Sequence, residues 1–361
     1  MKTSIPERPA SGEKTKGFGA KRFLIFTCVL VLFAAYQARV PAGGEAASGL
    51  PEPTAEIGAG QGSYVFRPKV CSVFMEEVFG ETMCATWYHL VDAVMAGEDT
   101  FACPDQDTYD WVMGQFPHLC FPVLPELISY AWDRENSVRD GVAEFTYLVP
   151  REEASARIEE FAKQVENILN TALKEKYSDF EKAAALYDFF YRNYQYDWDT
   201  AEKMKEMYLD FLTPLRIFRN GTGICSEIAP AYSYLLMQAG VEATVMMGND
   251  HEWSYVRING HNYHIDPTYV LSSEESLAYF MMTDGQREKD GFDPAKCTIV
   301  SNYSQDHPHP VYTADDNSYS MLWDYSLDEL LPEEHTLRCW RYSEGWEKET
   351  VDFDYEQAER K

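Results

Sequence analysis

The sequence predicts an α+β protein in which a helix opened by a cysteine packs on an antiparallel sheet, with a mainly helical region ahead of it. Three observations carry that expectation. Residues 226–239 place Ile228, Ala231, Tyr232, Leu235, Leu236 and Ala239 on one helical stripe directly after Cys225. Asn259-Gly260 separates two runs of alternating apolar residues, the strongest short-range hairpin signal. Residues 152–174 carry Ile158, Phe161, Val165, Ile168, Leu169 and Ala172 at helical spacing.

The elements follow in chain order. Residues 1–22 hold Lys2, Arg8, Lys14, Lys16, Lys21 and Arg22 against Glu7 and Glu13. The next fourteen residues, 23–36, carry no charge. That length fits the apolar core of a signal peptide and is short for a membrane span. Small residues follow, with cleavage expected near Ala46. Residues 1–46 therefore read as a signal peptide or, uncleaved, as an anchor tethering the chain to a membrane through residues 23–36. Either way the body of the protein is expected to be secreted or held at the cell surface. Cys28 lacks the preceding small residue of a lipoprotein site. Residues 47–62, rich in Ala, Gly, Pro and Glu, read as a flexible tether.

Residues 63–143 read as a mainly helical accessory region, with apolar residues at three- and four-residue steps around VCSVFMEEVFGETMCATWYHLVDAVMAG. A core is expected over residues 144–300. Residues 144–149 read as a strand and 152–174 as a helix. Ser178 and Glu181 form a capping box for the next helix. Residues 202–218 read as helical, ending before Asn220-Gly221. Pro230 is tolerated in a first turn, so the following helix should start close to Cys225 and end at Gly240. Residues 241–248 are a strand, the hairpin follows, and Ser272 with Glu275 reads as a second capping box. Residues 301–361 form an acidic, aromatic-rich extension of strands and loops whose rings are expected to pack.

Composition excludes some partners. The formal charge is −28 and becomes more negative without the basic N-terminus. That argues against nucleic acid and against an anionic membrane surface. Eight cysteines are present. Setting aside Cys28 and Cys225 leaves Cys71, Cys84, Cys103, Cys120, Cys297 and Cys339. In an exported chain these permit up to three disulfides, with at least one expected among the four in residues 71–120; buried thiols are the alternative.

The candidate site comes from the hairpin and the helix tip. With Asn259-Gly260 as a two-residue loop, Ile258 faces His261 and opposed residue numbers sum to 519. Trp253 then faces Asp266, Thr268 faces His251, and His251, Trp253, Asp266 and Thr268 share one face. His251 and Asp266 become diagonal neighbours with Cβ atoms at most ~7–8 Å apart. Val256, Ile258, Tyr263 and Ile265 point to the core. Cys225 sits where the helix dipole favours a thiolate, and Gly221 and Gly223 leave its sulfur open. A thiol, an imidazole and a carboxylate so placed are the parts of an activated sulfur nucleophile.

Gly223-Ile224-Cys225, His251-Glu252-Trp253 and Tyr263-His264-Ile265-Asp266-Pro267-Thr268 resemble, in order and spacing, the motifs of the transglutaminase-like superfamily of papain-like cysteine enzymes. The likeness covers about residues 180–285. It implies a papain-like core and acyl transfer through a thioester, with Cys225 as nucleophile, His251 as base and Asp266 as its orienter. The substrate would be a peptide or protein amide and the acyl acceptor water or an amine, so peptidase, deamidase and transglutaminase outcomes all stay open. No cofactor is implied. Glu252 departs from the small residues common at its position. The oxyanion would find one donor in the Cys225 N–H and another upstream, with Tyr194, Tyr196 and Trp198 the candidates.

Bland readings stand beside this one. Trp253 reads as the wall packing His251, and Tyr263 as core. His264 shares a face with Asp266 and would compete for it. A metal site from His251, His264 and Asp266 is a second class of reading. A catalytically inactive binding module of the same fold is a third. Thiol reactivity of Cys225 separates the three.

Overall fold

The computed structural model describes residues 64–204, 212–293, 296–301, 303–343 and 345–359. The apolar segment 23–36, the cleavage site near Ala46 and the tether 47–62 lie outside the described residues. No helix among the described residues is long and apolar enough to cross a membrane.

The chain enters as an extended strap, residues 64–72, that crosses several later elements. Asn170 bonds both backbone groups of Tyr64, and Gln238 both of Arg67. Helix α1 (Val73–Phe79) starts under the Ser72 hydroxyl, which accepts from the Met75 N–H. Gly80, at φ 86°, breaks it from α2 (Glu81–Ala96), which ends at left-handed Gly97. Strand β1 (Thr100–Ala102), α3 (Gln106–Gly114), α4 (Phe116–Cys120), β2 (Ile128–Tyr130), β3 (Val138–Arg139) and β4 (Val142–Tyr147) complete this region.

Strand β4 pairs antiparallel with β1, β2 and β3. Two expectations change here. The accessory region is helices plus a small sheet, and the strand expected to open the core belongs to that sheet. A boundary at 143/144 cuts through β4. Partners of two or three residues, up to about forty positions away, leave no local periodicity to read.

The next elements are α5 (Arg151–Ala172), α6 (Asp179–Asn193), β5 (Gln195–Tyr196), α7 (Trp198–Met204), α8 (Leu215–Asn220) and β6 (Thr222–Gly223). The capping box of α6 is complete: Ser178 Oγ accepts from Glu181 N at 3.2 Å, and Glu181 Oε2 from Ser178 N at 2.7 Å. The helix expected over 202–218 is not one helix. Pro214 starts α8, and residues 205–211 are not described.

Helix α9 (Cys225–Gln238) follows, then β7 (Glu242–Gly248), β8 (His251–Ile258) and β9 (His261–Ile265). With β10 (Thr298–Ile299) the strands form an antiparallel sheet ordered β10-β7-β8-β9. Asn259 (φ 52°) and Gly260 (φ 80°) are both left-handed, as a type I′ turn requires. The register is the expected one, from Ile258↔His261 to Ser254↔Ile265. Helix α9 is seated on this sheet by Ser233 Oγ to Thr244 O (2.8 Å) and Ser254 Oγ to Ala229 O (3.1 Å).

The ladder stops at Ile265, so Asp266 and Thr268 are not strand partners of Trp253 and His251. The chain turns instead into a short 3-10 segment, Tyr269–Ser272. No helix follows Ser272 and Glu275. The backbone is drawn back to the sheet, where Met282 bridges His264 and Asp266 N bonds Tyr279 O. Helix α10 (Asp284–Lys289) comes next, capped by Thr283. Strands β11 (Ser326–Leu331), β12 (Thr336–Tyr342) and β13 (Lys348–Asp354) form a separate meander near the C-terminus.

Candidate active site

Cys225 is the first residue of α9, where a backbone N–H has no carbonyl to bond within the helix. The tip is built by a buried ionic network that sequence reading missed. Glu227 Oε2 accepts from the Ile224 N–H at 3.1 Å, and its Oε1 lies 2.8 Å from Arg216 Nε. Arg216 Nη2 also meets Asp197 Oδ2 at 2.8 Å, and Asp197 N donates to Gly223 O at 2.8 Å. Burial raises the Glu227 carboxyl, with the Ile224 N–H and Arg216 opposing. A Cβ on Gly223 would meet Ile217 Cδ1 at 3.3 Å and Glu227 at 3.4 Å, which explains the glycine two residues before the sulfur.

His251 opens β8, and its Nε2 lies 2.8 Å from Asp266 Oδ2. The carboxylate accepts, so Nε2–H donates, leaving Nδ1 as the nitrogen not engaged by Asp266, with the Cys225 sulfur near enough to act on the ring. The turn after β9 aims Asp266: its Oδ1 accepts from the backbone N–H of Thr268 (3.0 Å) and Tyr269 (2.9 Å). Burial favours a neutral imidazole. The Asp266 charge and the bonds with Asp266 and Cys225 outweigh burial and raise the His251 pKa to about 9. Burial likewise opposes the Asp266 carboxylate, yet His251 and Arg287 hold its pKa below the usual range.

Arg287, on α10, was invisible in the sequence. It is fully buried, with Nη2 3.3 Å from Asp266 Oδ2. Its guanidinium lies 4.3 Å from the Trp253 ring centroid and 4.2 Å from that of Phe292. The His251 ring stacks on Tyr269 at 4.3 Å and on Trp253 at 5.9 Å. Tyr269 is thus the nearer wall.

His264 does not compete for Asp266. Its Nδ1 accepts from Trp253 Nε1–H at 2.9 Å, so its Nε2–H donates to Asp284 Oδ1 at 2.8 Å. Burial lowers its pKa, with Asp284 opposing. His251, His264 and Asp266 form no metal cluster: no group of three or more His, Cys, Asp or Glu among the described residues is disposed to hold an ion.

Among the upstream aromatics, parallel pairing of β5 with β6 sets Tyr196 opposite Gly223. Burial, with the Cys225 charge next in effect, raises the Tyr196 pKa to about 12, so its hydroxyl keeps its proton at neutral pH. Tyr194 is buried against Phe189 and Phe190, and Trp198 packs edge-on against Tyr196 at 4.7 Å. Glu252 alternates to the other side of β8 from His251. Burial raises its pKa to about 7, with His251 opposing.

The model of the transglutaminase-like superfamily matches residues 165–273 of this chain. Those residues are a transglutaminase-like domain. The match takes in Cys225, His251 and Asp266 and stops short of Asp284 and Arg287. No curated protein matches the chain. The transglutaminase-like domain brings a thiol, an imidazole and a carboxylate together, the last two hydrogen-bonded, with Arg287 supplied from beyond its matched span.

Proposed function

We propose that the chain is a cysteine-dependent acyl-transfer enzyme with a papain-like core, acting on amide bonds of peptides or proteins. The observation that carries this reading is the shared imidazole: Nε2 is held by Asp266 at 2.8 Å while the Cys225 sulfur lies near enough to raise the same ring. A histidine whose pKa is raised to about 9 is protonated at neutral pH. It then pairs with a Cys225 thiolate and gives its proton to the departing amine. The thiolate attacks the amide carbonyl. The Cys225 N–H and the Tyr196 hydroxyl are the donors assigned to the resulting oxyanion. Water or an amine then takes the acyl group from sulfur.

Iodoacetamide provides the first test. Cys225 should alkylate rapidly at pH 6, and His251→Ala should abolish that advantage. Ordinary slow alkylation of the wild type would sink the reading. Amide substrates with and without added amine then separate hydrolysis from transfer. The basic flank and the apolar run 23–36 support export, which N-terminal sequencing of protein recovered outside the cell would test.

A further inference from the structure

We propose that His118, in the accessory region, is a positioning residue for the nucleophile helix, supplying the hydrogen-bond donor that Pro230 withholds from Ser226. In a helix the carbonyl of residue 226 is bonded by the N–H of residue 230. Residue 230 is proline, with no N–H, and its ring presses on that carbonyl. The orphan lies in the first turn, one residue past Cys225. His118 Nε2 stands 3.2 Å from Ser226 O, reaching across from α4. A carbonyl only accepts, so Nε2 carries the proton. Burial keeps the ring neutral by lowering its pKa, with the Ser226 bond opposing. Pro230 and His118 are thus two halves of one device. The proline turns a carbonyl outward, and the histidine ties the accessory region to the first turn that aims the sulfur.

This inference rests on Cys225 being the nucleophile, but its test does not need turnover. Hydrogen exchange of the amides of Ile228 and Ala229 reports opening of the first turn. His118→Ala should speed that exchange, and slow Cys225 alkylation by iodoacetamide, each about fivefold. His118→Gln, whose Nε2 can donate from the same place, should restore both. Pro230→Ala returns an N–H to Ser226 O, so in that background His118→Ala should cost under about twofold. Equal cost in both backgrounds, or no change in exchange, overturns the proposal. An unreactive wild-type Cys225 with the exchange pattern intact would refute the enzyme reading alone.

A separate observation concerns Cys71 and Cys84, and the geometry points to a disulfide between them. Their sulfur atoms lie 2.8 Å apart, in a pair joining the strap to α2. The Cys84 sulfur, then burial, pushes the Cys71 thiol pKa far up, so Cys71 keeps its proton in the folded dithiol. The oxidant is a low-molecular-weight disulfide or an oxidoreductase disulfide. One thiolate attacks it and expels a thiol, the second cysteine attacks the mixed disulfide, and a second thiol leaves. Two hydrogens are lost from the chain and gained by the oxidant. The bond would pin the strap that crosses α5 and α9.

The full chain, refolded with oxidised and reduced glutathione and blocked with N-ethylmaleimide, should yield a linked Cys71–Cys84 peptide two hydrogens lighter. Reductant should lower its Tm by roughly 5 °C and leave the C71S/C84S variant unmoved. Free Cys71 and Cys84 after refolding, or a bridge from either to Cys120, would refute the assignment.

Discussion

The same sheet carries two histidine–aspartate pairs, and they do opposite things. His251–Asp266 and His264–Asp284 are both 2.8 Å contacts made by buried rings. One imidazole is raised to about 9, the other lowered. Burial disfavours charge on both rings. At His251 the Asp266 charge, then the Cys225 sulfur, outweighs it, whereas at His264 the Arg287 charge adds to burial against Asp284. Nδ1 of His264 also accepts from the Trp253 indole, so a proton there would break that bond. His264 is therefore locked neutral and orients Trp253, which stacks on His251. A His–Asp contact thus becomes chemical or structural according to the charges and donors that surround the ring.

The largest break in this comparison is removal of the reactive imidazole. His251→Ala should cut amide turnover by about 10²–10⁴-fold, measured at substrate saturation. Next comes Asp266→Asn. Burial then wins, and the His251 midpoint, followed by NMR, should fall from about 9 to below its ordinary 6.5. A midpoint still near 9 would mean that Asp266 does not govern the ring.

Stability against pH should separate the pairs by sign. A raised folded pKa makes His251 stabilising below pH 6.5, and that contribution is lost as pH rises through about 9. A lowered folded pKa makes His264 the reverse: it is neutral without cost above 6.5 and costs stability as pH falls below that value. Urea unfolding from pH 5 to 10 should show His251→Gln erasing the alkaline loss and His264→Gln erasing the acid one. Identical profiles for the two variants would remove the distinction. The smallest chemical effect is expected from Asp284→Asn. It should cost about 1–3 kcal/mol of stability through the His264–Trp253 line. The Cys225 alkylation rate should change only a few-fold.

Several elements that carry the site are legible in the sequence. Asn259-Gly260 set the β8–β9 register, because only a two-residue left-handed turn joins those alternating runs. Pro230 and the stripe beyond it set the start of α9 at Cys225. The Ser178–Glu181 capping box was readable for the same reason, since its atoms lie within one turn. The Ser272–Glu275 pattern failed because Met282 and Tyr279 pair with the sheet instead. Arg287 and His118 gave no motif. Their partners lie 21 and 108 positions away, and only packing brings them together. The proline was the one available clue to His118, since a bare helical carbonyl needs a donor.

Local rules therefore determined the helix start at Cys225 and the register of the hairpin that carries His251, because turns and helix starts are decided by neighbours in the chain. Tertiary structure brought Asp266 to His251 past the end of the ladder and decided the charge of both. The raised His251, the lowered His264 and the buried Arg287 follow from burial and from partners on distant elements, and protonation depends on every charge and dipole within reach, whatever its place in the sequence.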